Sequence, residues 1–305
     1  MNTKISAIIP VYNDPEGLRD TLESLVEQDF EGTYEILPVD NNSSDSTGEV
    51  IEEFEEEYPD LVRGLEENEV QSSYAARNNG LEYAEGDIIC FLDADMWVEE
   101  DYLSKVSEYF DENSGVDYIG CGVELVSESD SLASRYNLLS GFPVERYVRD
   151  EGFAPTCCLC VREKVFGQVD RFDDRLVSGG DADFGRRVQG AGFTQEFAED
   201  IALYHPTRDS FRSLLKKSFR VGKGHGQIDV YRPESSSRRS FYHPANFLPM
   251  NPLNLQDYFS QNSEQSLKKR EIPVFFLMYY VLKLASSYSR LKYNLKKRIR
   301  SAYTG

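Results

Sequence analysis

Residues 4–9 (KISAII) form a short apolar, β-rich run that leads into Tyr12, Asn13 and Asp14, side chains of turn and cap type. Asp14 stands as a helix N-cap with Pro15 at the first helical position. Leu18, Leu22, Leu25 and Val26 then recur at helical spacing, so the pattern predicts a strand followed by a helix. The alternation repeats. Residues 34–39 read as a strand, Asp45 or Ser46 caps a helix carrying Val50, Ile51 and Phe54, and 61–65 is another short strand. A helix over 73–83 leads to 87–92 (DIICFL), the most strand-like run of the chain. Strands alternating with helices at this pitch imply βαβ units and an α/β fold with a mostly parallel sheet.

Beyond Trp97 the pattern predicts a helix over 99–110, a strand over 116–126, a helix near 132–139 and a strand over 155–161. Gly179, Gly180, Asp181, Ala182 and Asp183 open a helix through Val188, and 209–221 (DSFRSLLKKSFRV) is a basic amphipathic helix. The stretch 231–270 is rich in Ser, Pro, Asn and Gln and reads as a linker or loose subdomain. Residues 272–285 (IPVFFLMYYVLKLA) are apolar and aromatic apart from Lys283, but the run falls short of the ~20 residues of a spanning helix. We read it as a helix lying in a membrane interface, with a core helix as the alternative. The domains expected are 1–230 and a C-terminal extension over 231–305.

Charge adds to that picture. The chain has 305 residues and a net charge of -20, yet from Lys268 onward ten basic residues face one acid, Glu271. A basic end on an acidic protein is a segment with its own partner, here an anionic membrane surface. The acidic remainder would repel phosphate backbones, which argues against nucleic acid, and it suits a salt-rich cytoplasm. Five cysteines, an odd count without zinc spacing, read as buried thiols of a reducing compartment. With no signal-peptide pattern at the first residues, the expected location is the cytoplasmic face of the cell membrane.

In a parallel sheet, ligands bind beyond the carboxyl ends of the strands. Strand one runs into Tyr12 and Asp14, strand two into Asp40, and the DIICFL strand into Asp93 and Asp95, so these side chains should converge on one rim. Two carboxylates one residue apart at the end of a buried strand are costly without a cation, and Mg²⁺ or Mn²⁺ commonly joins such oxygens to substrate phosphates.

Five segments in order carry a resemblance: IIPVYND at 8–14, VDNNSSDST at 39–47, AARNNG at 75–80, FLDAD at 91–95 and GGDADFGRR at 179–187. The chain resembles the inverting glycosyltransferases of family 2, which have the GT-A (nucleotide-diphosphosugar transferase) fold with its Rossmann-like nucleotide-binding half. The resemblance implies a nucleotide-diphosphosugar donor, a UDP- or GDP-sugar, and a divalent metal. It places Pro10, Tyr12 and Asp14 in the nucleoside pocket, Asp40 on the base, Arg77 near the nucleotide, Asp93 near ribose and metal, and Asp95 on the metal. Asp181 is the candidate general base, with Asp183 as the alternative because Gly180 stands where the family usually has Glu. His205 is a third candidate for the metal or the leaving diphosphate, and Arg208, Arg212, Lys216 and Lys217 could hold a phosphate-bearing acceptor. Processive members carry Gln-x-x-Arg-Trp; the one tryptophan, Trp97, stands too early for that motif, so a single sugar is expected to pass to each acceptor, most simply a lipid-linked saccharide. The alternatives are a nucleotidyltransferase of similar fold, whose basic glycine-rich loop is missing at 12–17, and a non-catalytic nucleotide-sugar-binding module. A dinucleotide oxidoreductase would need a Gly-x-Gly-x-x-Gly after the first strand.

Overall fold

The first apolar run becomes β1 (Lys4–Val11), in which every residue after Lys4 is buried, as a strand covered on both faces requires. The structure is a computed structural model that describes residues 3–304 apart from 128, 237 and 264. By the clustering of its contacts the chain forms two units. The first comprises Met1–Glu124, Val144–Asp174 and Gly180–His205; the second comprises Leu125–Pro143, Arg175–Gly179 and Pro206–Gly305.

In the first unit β1 pairs in parallel with β2 (Thr33–Asp40) and β4 (Ile88–Leu92), and β2 pairs in parallel with the two-residue β3 (Leu65–Glu66). With β5 (Trp97–Val98), β6 (Tyr118–Val126), β7 (Cys158–Arg162) and β8 (Gln195–Pro206), these strands make one sheet in the order β3-β2-β1-β4-β7-β6-β8-β5. The β4–β7, β6–β7 and β5–β8 pairs are antiparallel, so the sheet is mixed and its parallel half is N-terminal. Helices α1 (Pro15–Val26), α2 (Thr47–Glu57) and α3 (Ser73–Tyr83) are the crossovers of that half. Asp14 caps α1 through the Gly17 amide, and Ser72 caps α3 through the Tyr74 amide. Helices α4 (Tyr102–Glu112), α6 (Val144–Glu151) and α7 (Gly180–Gly190) complete the unit. All five cysteines are buried free thiols.

Several expectations need adjustment. The strand expected at 61–65 reduces to β3 and an isolated bridge between Ile36 and Val62, because Pro59 and Gly64 leave little regular backbone between them. Strand β8 was not anticipated: its buried residues Ala198, Ile201 and Leu203 break the two-residue phase that announces a strand. Helix α6 was also missed. The basic helix runs on from 221 to Tyr231 despite three glycines.

The second unit contains α5 (Leu132–Ser140), α8 (Phe211–Tyr231), α9 (Leu255–Ser260) and α10 (Ile272–Thr304). Its core gathers Tyr136, Leu214, Leu255, Phe259, Phe275 and Leu282, with the Tyr136 ring edge-on to Phe259 at 5.5 Å and to Phe275 at 5.9 Å. Leu255 and Phe259 come from the stretch read as linker, which therefore supplies core rather than tether. Helix α10 is far longer than the apolar run that nucleates it, and Lys269–Ile299 is long and apolar enough to cross a membrane by length and composition. One face of it is nonetheless internal: Phe275 is fully buried, and Lys283 donates to the Leu248 carbonyl at 2.7 Å. Among the described residues, all the exposed large apolar side chains except Tyr12, Val70 and Tyr83 belong to this unit.

Helices α8 and α10 approach backbone to backbone at Gly222, where an added Cβ would stand 2.0 Å from the Ser286 carbonyl oxygen. Alanine raises helix propensity by about 1 kcal/mol, but overpacking against backbone costs about 1–3 kcal/mol or more. Gly222→Ala is therefore expected to lower the urea midpoint. Gly48→Ala, on α2 where nothing lies within 4 Å of the new methyl, should leave it level or raise it.

Candidate active site

The parallel register sets the rim. Pro10 lies opposite Val39 and Val11 opposite Asp40, while Ile8 faces Phe91 near the end of β4, so Tyr12, Asp40 and Asp93 leave adjacent strands at their carboxyl ends. Tyr12 is 53% exposed at this edge. Asn13 and Asn42 take the left-handed conformation, φ 50° and 64°, which asparagine tolerates and most residues do not. The two turns are laced together: Asn13 accepts from the Ser44 amide at 2.8 Å, and Ser43 Oγ accepts from the Asn13 amide at 2.9 Å. Asp40 accepts from the Ser43 amide at 3.0 Å, which fixes its carboxylate at the mouth of β2.

After β4 the chain turns through Asp93, Ala94 and Asp95. Gly17 permits this loop to sit against the first turn of α1, since a Cβ there would lie 2.6 Å from the Ala94 carbonyl oxygen. Arg77 on α3 is 2% exposed and forms an ion pair with Asp93, whose own side chain is 43% exposed. The same guanidinium stands 5.8 Å over the Tyr74 ring and donates to the Ser73 carbonyl at 3.3 Å, while its Nε is buried without a hydrogen-bond partner. Asp95 Oδ2 lies 3.7 Å from His205 Nε2 near the end of β8. Asp14 joins this group: burial pushes its carboxyl up, the Gly17 amide opposes that, and the charge on Asp95 pushes it further.

Asp181 sits in the first turn of α7. The Tyr74 hydroxyl accepts from the Gly180 amide at 2.9 Å and the Asp181 amide at 3.4 Å, and Asp181 Oδ1 accepts from Ala182 at 2.9 Å. Burial lifts the Asp181 carboxyl above the usual carboxylate range; the Ala182 amide and the Arg77 charge pull it down, and Asp93 adds to the lift. Tyr74 is itself raised, chiefly by burial and then by the Asp181 charge. Arg77, Asp93, Tyr74 and Asp181 are thus one electrostatic group. Asp183 stands apart from it: 1% exposed, it is held by Arg187 Nε at 2.9 Å, and Arg187 also binds the carbonyls of Asp170 and Arg171. Tyr74 and Gly17 are the two positions that sequence reasoning passed over. The spacing of Tyr74 three residues before Arg77 on a capped helix was the available signal.

Among the described residues no group of three or more His, Cys, Asp or Glu side chains could hold a metal alone. A carboxylate and an imidazole 3.7 Å apart, beside the raised Asp14, fit an ion that takes its remaining oxygens from phosphates and water.

A family model described as glycosyl transferase family 2 matches residues 6–165. The glycosyltransferase AglE of Haloferax volcanii is 35% identical over 302 residues, covering 96% of each chain. A Methanococcus voltae enzyme is 26% identical over 240 residues, 73% of each chain; its name describes transfer of a diacetamido-dideoxy-glucuronosyl group to dolichyl N-acetylglucosaminyl phosphate. Among solved structures, the mannosyltransferase PcManGT of Pyrobaculum calidifontis, in complex with GDP-Man and Mn²⁺, superposes with a TM-score of 0.60 at 16% identity. The match covers 100% of this chain and 76% of that one, a likeness of fold. With the family model spanning more than half of the sequence and AglE matched along nearly its whole length, the chain belongs to glycosyl transferase family 2.

Proposed function

We propose that this glycosyltransferase moves a single sugar from a nucleotide-diphosphosugar to a lipid-linked saccharide, with inversion at the anomeric carbon. The observation that carries the reading is the meeting of Arg77, Asp93 and Asp181 around Tyr74 at the carboxyl ends of parallel strands. Tyr12, with Pro10 behind it and Asp40 fixed beside it, receives the nucleoside; Asp93, oriented by Arg77, meets the ribose. Asp95 and His205, with Asp93 at the edge of the set, would hold Mg²⁺ or Mn²⁺, whose positive charge offsets that of the departing diphosphate. The GDP-Man and Mn²⁺ bound by PcManGT support a donor and metal of this kind. Asp181, raised by burial, takes the acceptor hydroxyl's proton as that oxygen attacks from the face opposite the nucleotide. Asp183 is committed to Arg187 and serves the fold of α7. The lipid-linked acceptor is supported by the name of the M. voltae relative and by the concentration of exposed apolar side chains in the second unit, which suits a peripheral protein at the cytoplasmic face of the membrane.

Purified full-length protein incubated with UDP- and GDP-sugars, Mn²⁺ and isoprenoid-phosphate-linked saccharides should yield acceptors one sugar longer, with the new linkage inverted relative to the donor. A product ladder, or retained configuration, would overturn the proposal. Deletion of the C-terminal helix is a poor test of membrane binding, because Phe275, Met278 and Leu282 belong to the core of the second unit.

A further inference from the structure

A separate cavity lies wholly within the second unit and has a volume of 430 Å³. Four cations line it, Arg238, Arg290, Lys297 and Arg298, against one carboxylate, Asp229. On a chain of net charge -20 such a concentration of positive charge in a concavity is out of character. Asp229 does not neutralise it. Both of its oxygens are engaged with Arg290, Nε at 2.7 Å and Nη2 at 2.8 Å, and Ser236 and Asn294 donate to it at 3.0 and 3.1 Å. That network fixes the Arg290 guanidinium, which is 7% exposed, and leaves Nη1 outside the pair. Lys297 Nζ stands 5.1 Å from the Tyr231 ring centre and bonds that residue's hydroxyl, and the Arg298 guanidinium lies 4.8 Å over the Phe241 ring; one hydroxyl bond leaves the ammonium further donors for a ligand. His225 registers the same field: burial, then Arg238 and Arg290, push its imidazole down to about 3.

Within the lining Val230 is an apolar side chain 37% exposed, and on α10 Leu295 and Ile299, next in sequence to the lining residues Asn294 and Arg298, are 46% and 57% exposed. A charged hollow with an apolar shoulder suits a ligand that has both parts. We propose that this cavity is a binding site for a phosphate monoester or diphosphate, with the headgroup of a phosphate-bearing lipid as its fitting source and soluble pyrophosphate as the other source of the same chemistry. The site stands on the second unit alone and does not rest on the transfer reaction.

The test is flotation of the full chain with phosphatidylcholine vesicles containing either phosphatidate, a monoester, or phosphatidylglycerol, a diester, at matched surface charge. The expected result is about tenfold tighter binding to the phosphatidate vesicles. Lys297→Gln/Arg298→Gln should abolish that preference. Lys292→Gln/Lys296→Gln, which removes the same charge from the same helix outside the cavity, should weaken both vesicles alike and keep the preference. Arg238→Gln repeats the loss from a residue outside α10, should the double variant fold poorly. In a parallel arm, inorganic pyrophosphate should raise the thermal midpoint of the parent and of Lys292→Gln/Lys296→Gln, but not of Lys297→Gln/Arg298→Gln. A pyrophosphate response without vesicle preference assigns the site to a soluble phosphate. Equal losses in the two double variants, or neither preference nor pyrophosphate response in the parent, would overturn the proposal. Nucleotide-sugar binding, measured alongside, reports separately on the transfer site.

Discussion

Asp181→Asn is expected to lower kcat by about 10²–10⁴-fold while the protein folds and binds its donor as before, the range over which a positioned proton acceptor contributes. The carboxylate must be ionised to accept a proton, so kcat should rise with pH through the Asp181 pKa. Because burial holds that pKa above the usual carboxylate range, the acid limb should lie above that of a free aspartate and vanish in the variant. Asp183→Asn provides the contrast. Its carboxylate is buried on Arg187, so the loss should be stability, about 1.5–3 kcal/mol for a charge-assisted bond, with kcat kept. Steady-state kinetics against pH, alongside urea unfolding of both variants, separates the two roles.

Removing the Arg77 side chain should have the second largest effect, and it should be felt in three measurements. Arg77→Met takes away the buried partner of Asp93, the guanidinium over Tyr74 and a bond to the Ser73 carbonyl. Breaking a buried ion pair costs about 3–5 kcal/mol when the surviving charge stays buried, but Asp93 is 43% exposed and can be resolvated. About 2–3 kcal/mol of lost stability is the expected figure. The donor KM should rise, because Asp93 is no longer oriented. Arg77 also pulls the Asp181 carboxyl down, so its removal lets that pKa climb and moves the acid limb of kcat to higher pH. A role confined to packing would leave that limb in place.

The rim at the carboxyl ends of the parallel strands was legible because the physics that places it is local. Short continuous apolar runs such as IIPV and IICFL, β-rich and bounded by turn residues, read as covered strands, and in a parallel sheet whatever follows them shares an edge. That logic puts Tyr12, Asp40, Asp93 and Asp95 on one edge of the sheet. Partners set by tertiary approach were not legible. Tyr74 has no motif of its own, and its hydroxyl reaches Gly180 across 106 positions of sequence. His205 was named from the resemblance, while the strand that carries it was missed because Ala198, Ile201 and Leu203 fall out of phase. The C-terminal stretch misled for a related reason. Composition rich in Ser, Pro and Asn signals turns, and the i, i+4 pair Leu255 and Phe259 sits on a helix of only six residues, too short for a periodic pattern to announce the core it joins. The basic helix was expected to end at 221, and α8 continues through Gly222 because that glycine makes room for the Ser286 backbone.

The proposed grip of Asp95 and His205 on the donor's diphosphate runs through a divalent cation. Its most direct measurement is calorimetric titration of GDP and UDP into the parent protein and into Asp95→Asn, each with Mn²⁺ and with a chelator. In the parent, the preferred nucleotide should bind at least about tenfold tighter with Mn²⁺ than without, and in Asp95→Asn that difference should disappear while metal-free binding persists. Equal binding with and without Mn²⁺ in the parent, or an undiminished Mn²⁺ effect in Asp95→Asn, would contradict it.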